Sequence, residues 1–155
     1  MNLNETKGAE VMSLRICPYL MMNGNAREAI RFYEQALGAE VIGIQAYGDL
    51  PQDPNKPLPP EAKELVAHAL LKIGDTELML SDCPPGHGQL AQSGDQVTLC
   101  ITSSDPSRTR QVFEALQPGG QTICPLCEMP FSPLFGNVTD KFGVNITVVT
   151  ELPQD

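Results

Sequence analysis

The sequence predicts an α+β fold built from two β-α-β-β-β modules. The order strand, helix, strand, strand, strand occurs twice along the 155 residues. Each helical segment is bounded by cap residues, and a β-branched run at about 143–150 closes the second module. A four-stranded sheet with one helix is covered on one face only. We therefore expect the modules to form a shared cup-shaped sheet around a cavity.

The first module is predicted at about residues 14–83. Pro18 marks an edge position in its first strand, since proline cannot donate to a sheet ladder. Asn25 is a favourable N-cap for the helix, and Glu28 adds a capping-box pattern. Gly38 is a natural C-terminal stop. The apolar segments predict four strands at about 15–22, 39–47, 65–73 and 76–82, and a Pro-rich loop at 48–63.

The second module is predicted at about residues 94–150. Its helix begins at Asp105-Pro106, where an N-cap is followed by proline at the first helical position. Gly119-Gly120 ends that helix. The remaining apolar segments predict strands at about 95–102, 121–128, 133–138 and 143–150. Together the two modules make one domain at 14–150, preceded by a disordered N-terminal extension at 1–13.

Composition excludes several classes of partner. The net charge of −9 and the pI near 4.6 argue against nucleic-acid binding and against anionic membranes. No apolar run reaches the roughly 20 residues that span a bilayer, so we expect a cytoplasmic protein. The five cysteines are an odd number and favour reduced thiols over a disulfide framework. Cys17 and Cys100 lie in apolar runs and are expected to be small core residues.

Four segments carry a resemblance to a known family. They are Pro18-Tyr-Leu with Gly24-Asn-Ala-Arg-Glu-Ala-Ile-Arg-Phe-Tyr33, then Gly38-Ala-Glu40, then His68-Ala with Ile73-Gly-Asp75 and Leu78-Met-Leu-Ser-Asp82, then Phe135-Gly-Asn-Val-Thr-Asp140-Lys-Phe-Gly-Val144. In this order the chain resembles the vicinal oxygen chelate (glyoxalase, bleomycin-resistance and dioxygenase) superfamily, and more closely its PhnB-like branch. The resemblance implies the glyoxalase-like fold and a homodimer, in which modules are sometimes exchanged.

The resemblance also implies a divalent cation that is held by His and Glu side chains from both modules and acts as a Lewis acid. The matching positions in this chain fall near Pro18, Met79, Val97 and Thr147, which are not the usual ligands. We therefore predict no metal and no other cofactor in the cavity. A divalent-metal-dependent enzyme of the lyase or dioxygenase type remains the alternative.

A second arrangement of metal ligands is possible. Cys83 and His87, together with Cys124 and Cys127, have the residue types of a zinc site with three sulfurs and one imidazole, if their loops meet. These short spacings are also common by chance. A redox pair at Cys124-Pro-Leu-Cys127 is disfavoured because the motif does not open a helix, whose N-terminus lowers a thiol pKa.

The predicted function is binding of a small organic molecule in an apolar cavity. Six residues are candidates for contact with that ligand: Tyr47, Met79, Ser81, Phe131, Phe135 and Thr147. The sequence contains no phosphate loop and no nucleotide-binding loop for S-adenosylmethionine.

Two residues are candidates for acid–base catalysis without a metal. His68 follows the Pro-rich loop and, if it faces the cavity, can act as a general acid or base near neutral pH. Its alternative role is that of a buried, hydrogen-bonded histidine at the start of a strand. Glu128 lies beside Met129 and Pro130, where an apolar setting raises a carboxyl pKa. Its alternative role is that of a solvated charge in a loop.

Overall fold

The computed structural model describes residues 14–83 and 97–152. The predicted strand and helix order is confirmed in both modules: β1 (Tyr19–Met22), α1 (Ala26–Leu37), β2 (Glu40–Ala46), β3 (Val66–Ile73), β4 (Thr76–Asp82), β5 (Leu99–Ser103), α2 (Pro106–Leu116), β6 (Gln121–Met129), β7 (Ser132–Thr139) and β8 (Asn145–Thr150). The predicted extension at 1–13 lies outside the described residues. In this part of the chain no helix is long and apolar enough to cross a bilayer.

The two modules have the same sheet topology. Sheet 1 has the strand order β1-β4-β3-β2, and sheet 2 has the equivalent order β5-β8-β7-β6. In each sheet the first strand runs parallel to the last one, and the other pairs are antiparallel. This confirms the α+β class and the repeated module. The two sheets are separate hydrogen-bonded units within the described ranges.

Each helix covers one face of its own sheet. In α1 the buried residues recur at helical spacing, with Ala26, Ile30, Tyr33 and Leu37 on one side. Gly38 ends this helix with a φ of 66°, which is the left-handed conformation that glycine adopts without strain. The buried stripe of α2 comprises Thr109, Val112, Phe113 and Leu116. These stripes pack on the inner faces of the sheets to form the core.

The two helices are capped differently. Asp105 caps α2 as predicted, since its side chain accepts a hydrogen bond from the Ser107 backbone N–H at 2.9 Å. The predicted side-chain cap of α1 is wrong, because Asn25 makes no capping hydrogen bond. Instead, Oδ1 of Asp82 accepts from the Ala26 N–H at 2.9 Å. The first backbone N–H group of α1 is therefore bonded to a side chain at the end of β4, the last strand of the same module.

Two cysteines differ from their predicted positions. Cys17 was expected in the core but is half-buried, and it precedes β1, which begins only at Tyr19. Cys100 was also expected in the core but is exposed on β5. The alternation of side chains along β5 explains this position, because Leu99 and Ile101 pack against the core and leave Cys100 on the opposite face.

The modules contact each other through their helices and the turn between β7 and β8. The Tyr33 hydroxyl donates to Oδ2 of Asp140 at 2.6 Å. Lys141 pairs with Glu28 at 3.1 Å, and the Phe32 and Phe142 rings pack edge to face at 5.5 Å. The faces of the sheets that point away from the helices stay open, with Tyr19 and Met21 of sheet 1 44% and 43% exposed. The expected cavity is therefore not closed by these contacts within one chain.

Candidate functional site

The open face of sheet 1 is assigned by strand alternation. Leu78 and Leu80 of β4 are buried in the core, so Met79 and Ser81 point to the opposite face. Tyr19 is aligned with Met79 in the parallel ladder and lies on that face as well. Because Ala69 is aligned with Leu80, the preceding residue of β3, His68, also lies on the open face.

Met21 lies on the same face and contacts one of the predicted ligand-binding residues. It is aligned with Ser81 in the ladder between β1 and β4. The Ser81 hydroxyl donates to the Met21 sulfur at 3.3 Å. Ser81 itself is 2% exposed, so its hydroxyl lies beneath the more exposed Met21 side chain.

Aromatic and polar side chains gather at one end of this face. The rings of Tyr19 and His68 pack edge to face with centroids 5.8 Å apart. The Tyr47 hydroxyl donates to the Asp82 carbonyl oxygen at 3.1 Å. Burial raises the pKa of Tyr47, and nearby Tyr19, Asp82 and Cys83 raise it further. We call Tyr19, Met21, Tyr47, His68 and Ser81 the Tyr19–His68 site.

This site brings together part of the predicted set. The structure places the predicted residues Tyr47, His68, Met79 and Ser81 at or beside the Tyr19–His68 site. Tyr19 and Met21 were not among the predicted site residues. The sequence pattern could have indicated them, because Tyr19 and Met21 alternate along β1 with Leu20 and Met22, which pack in the core or against it. His68 is half-buried and is the third residue of β3.

The other predicted ligand-binding residues lie on sheet 2. Phe135 and Thr147 are both on the open face, where Phe135 is aligned with Val149 and Asn137 with Thr147. Phe131 is 58% exposed, and its ring packs at 5.5 Å against that of Phe135. Within one chain the predicted ligand contacts are therefore divided between two open faces.

Thr147 is held in a polar network rather than presented freely. Its hydroxyl accepts from Nδ2 of Asn137 at 2.8 Å and lies 3.0 Å from the Thr98 hydroxyl. Asn137 and Asn145 exchange two further hydrogen bonds at 2.9 and 2.8 Å. Because only 9% of Thr147 is exposed, this network occupies much of its hydrogen-bonding capacity.

Glu128 is exposed on β6. It belongs to sheet 2, whereas His68 belongs to sheet 1. In a single chain the two candidate acid–base residues are therefore not brought together. The exposure of Glu128 agrees with its alternative role as a solvated charge, although the residue lies in a strand and not in a loop.

The residues present do not fit the metal that the resemblance implies. Three or four convergent His or carboxylate ligands are needed. The four matching positions carry Pro18, Met79, Val97 and Thr147, and none of these side chains is an imidazole or a carboxylate. Residues 14–83 and 97–152 contain no group of three His, Cys, Asp or Glu side chains that is arranged to hold an ion.

The alternative zinc ligands are separated as well. Cys83 follows β4 of sheet 1 beside Tyr47. Cys124 and Cys127, which were expected on a loop, lie within β6 of sheet 2. His87 lies outside the described residues.

Comparison with known proteins agrees with this fold. The model of the 3-demethylubiquinone-9 3-methyltransferase family matches residues 14–149. Protein YjdN of Escherichia coli is 33% identical over 89% of this chain and 97% of its own length. The crystal structure of protein PA1353 from Pseudomonas aeruginosa is 33% identical, with a TM-score of 0.77 over 89% of this chain and 98% of that one.

A second solved structure carries the name of the branch. The putative 3-demethylubiquinone-9 3-methyltransferase, PhnB protein, from Bacillus cereus is 28% identical, with a TM-score of 0.70 over 88% of this chain and 99% of that one. With the repeated module and the family match, these similarities show that the chain belongs to the 3-demethylubiquinone-9 3-methyltransferase family and to its PhnB-like branch.

Proposed function

We propose that this protein binds a small organic molecule over the open face of sheet 1, at the Tyr19–His68 site, without the usual metal. The observation that supports this most is the packing of the His68 imidazole against the Tyr19 ring at 5.8 Å. Ligand pockets combine apolar and aromatic walls with a few polar groups that fix orientation. Met21 and Met79 supply apolar surface here, and the polar groups are the imidazole, the Tyr19 hydroxyl and the Tyr47 hydroxyl.

A homodimer would close this pocket. The open face of sheet 1 exposes large apolar side chains that a soluble protein tends to cover, including Met21 at 43% and Ile42 at 52% exposure. Sheet 2 exposes Phe131 at 58% and Ile123 at 55%. In our proposal sheet 2 of a second copy faces sheet 1, so that Phe131, Phe135 and Thr147 complete the ligand contacts. The net charge of −9 and the free thiols fit a cytoplasmic protein.

A second candidate function is acid–base catalysis by His68 without a metal. The imidazole is half-buried on the open face, and its two ring nitrogens can donate and accept protons. Of the two predicted acid–base residues the geometry favours His68, because Glu128 is exposed and lies on the other sheet.

The family description names a methyl transfer, but neither strand-to-helix passage of the sequence carries the glycine-rich loop of a nucleotide site.

The test is a thermal-shift screen of metabolites, since a ligand that binds only the native state raises the melting temperature. We expect a hit that stabilises the unmodified chain, loses its effect in Tyr19→Ala and His68→Ala, and keeps it in Glu114→Ala. Glu114 is an exposed α2 residue and serves as the control. A hit that stabilises the Tyr19→Ala/His68→Ala double variant as strongly as the unmodified chain would overturn the site.

Two further measurements address the rest of the proposal. Elemental analysis of the purified, tag-free Cys124→Ser/Cys127→Ser variant, which lacks the two thiols of β6, is expected to show less than one divalent ion per chain, and a stoichiometric ion would favour the metalloenzyme alternative. Sedimentation analysis is expected to show a dimer, whereas a monomer at all concentrations would contradict closure of the pocket by a second copy.

For the catalytic candidate, His68→Ala should abolish turnover of an identified ligand while its melting temperature stays close to that of the unmodified chain.

A further inference from the structure

Strand β6 contains a bulge that turns two cysteines to the same face. Cys124 is aligned with Asn137 of β7 and Cys127 with Phe135, with a register shift between them. Asn137 and Phe135 are two residues apart on β7 and share the open face of sheet 2. Three steps on β6 therefore oppose two steps on β7, so Cys124 and Cys127 lie on one face although they are three positions apart.

The two residues between the cysteines explain the bulge. Pro125 has no backbone N–H to give to the ladder and is tolerated at such irregularities. Leu126 packs against the core, close to Gly136, where its Cδ2 would lie 3.0 Å from an added Cβ. Because Leu126 points inward, the cysteines on either side of this segment point outward, at a Cα spacing of about 6.6 Å for two strand steps.

The two thiols are neighbours on this face, and neither is fully buried. Both cysteines are free and half-buried. Burial raises the pKa of Cys127, and a hydrogen bond with the Cys124 thiol raises it further. Phe135 is opposite Cys127 in the ladder and packs against the exposed Phe131 ring. The pair therefore combines two adjacent sulfur donors with an apolar border in a chain of net charge −9, which is a suitable setting for a soft, thiophilic cation.

We propose that Cys124 and Cys127 chelate one thiophilic divalent metal ion through their two sulfur atoms on the open face of sheet 2. Thiolates select soft cations over hard ones. Binding replaces two S–H bonds by two metal–sulfur bonds and releases two protons, so it requires no oxidant or reductant. Both sulfur donors come from one chain, so the site does not depend on the proposed small-molecule pocket. In the proposed dimer the open face of sheet 2, which carries the cysteines beside Phe135, would face the Tyr19–His68 site of the second copy.

Cadmium ion is the probe for this site. The background is the full chain, kept reduced, with the three other cysteines replaced as Cys17→Ser, Cys83→Ser and Cys100→Ser. We expect it to bind one Cd²⁺ with a sulfur-to-metal absorbance band and to release two protons per ion, measured by calorimetry in buffers of different ionisation heat. Adding Cys124→Ser or Cys127→Ser should weaken binding at least about tenfold, because a monodentate site loses the chelate geometry, and should reduce the release to one proton.

Retention of full affinity by the Cys124→Ser/Cys127→Ser double variant in that background would overturn the proposal, as would binding that releases fewer than two protons. A measurement without substitutions guards against misfolding of the variants. In the unmodified chain, Cd²⁺ should protect Cys124 and Cys127 from alkylation while Cys100, which is exposed on the same sheet, is still labelled. Equal labelling of all three cysteines with and without the ion would exclude the site.

Discussion

The Tyr33 hydroxyl and the Asp140 carboxylate form a buried hydrogen bond of 2.6 Å that joins the two modules across 107 positions of sequence. Tyr33 is 1% exposed on α1, and Asp140 is 3% exposed at the turn between β7 and β8. Oδ1 of Asp140 also accepts from the Phe142 and Val144 backbone N–H groups at 2.9 and 3.0 Å. One carboxylate therefore holds its own turn in shape and attaches that turn to the other module.

Removing the Tyr33 hydroxyl should destabilise the protein moderately. Tyr33→Phe leaves Oδ2 of Asp140 buried without this donor, which costs about 1.5–3 kcal/mol for a hydrogen bond to a charged group. Asp140→Ala should cost more, because it also leaves the Phe142 and Val144 N–H groups without their acceptor. Urea unfolding measures both. As a control, Tyr19→Phe at a 44% exposed position should stay within about 0.5 kcal/mol, and an equal loss there would contradict the argument.

Asp140 should give the protein a characteristic pH dependence. Burial raises the pKa of this carboxyl, and hydrogen bonds from Tyr33, Val144 and Phe142 and the charge of Lys141 offset part of the rise. The native state therefore holds a proton at pH values where the unfolded chain, with the ordinary value of 3.8, has lost it. The associated stability is fully present below 3.8 and is lost as the pH rises through the native pKa.

The comparison is between the unmodified chain and Asp140→Asn, unfolded by urea at several pH values above and below 3.8. The free energy of unfolding of the unmodified chain minus that of the variant should fall as the pH rises through this window, and should then be constant. A difference that rises with pH would mean that the native pKa of Asp140 is lowered, and would contradict the dominance of burial.

Asp82 should matter more for stability than Asn25, although Asn25 occupies the cap position. Asp82 is 1% exposed and accepts from the Ala26 N–H with Oδ1 and from the Val66 N–H with Oδ2, both at 2.9 Å. Asp82→Ala leaves two buried donors without a partner and should cost about 2–5 kcal/mol. Asn25→Ala should be close to neutral, since its buried Oδ1 has no hydrogen-bond partner. Urea unfolding of both variants tests this assignment, and a larger loss in the free energy of unfolding for Asn25→Ala than for Asp82→Ala would contradict it.

Gly136 should tolerate no side chain. A Cβ there would lie 2.7 Å from Cε2 of Phe113 and 3.0 Å from Cδ2 of Leu126, so Gly136→Ala should cost about 1–3 kcal/mol through overpacking. Gly43→Ala on β2 is the matched control, because nothing lies within 4 Å of its Cβ position. The measurement is the melting temperature, which should fall more in Gly136→Ala than in Gly43→Ala. Equal decreases in the two variants would show that the loss of glycine, and not steric contact, destabilises the protein.

Local patterns in the sequence were sufficient to predict the elements and their order. The end of α1 at Gly38 and the start of α2 at Asp105 depend on residues within one or two turns of chain. The alternation in β4 likewise shows that Met79 and Ser81 share a face. The first helix cap was mistaken because its acceptor comes from Asp82, 56 positions away, and no local rule reaches that far.

By itself the sequence determined two β-α-β-β-β modules and the absence of the usual metal ligands, because periodicity, caps and residue type are properties of the chain. Only the tertiary structure decided which candidates meet. Strand order places the His68 ring against Tyr19 and assigns Phe135 and Thr147 to a different sheet. The bulge at Pro125, which no spacing rule reveals, brings Cys124 and Cys127 to one face. These relationships depend on which strands are neighbours, and that is set by packing between segments far apart in the chain.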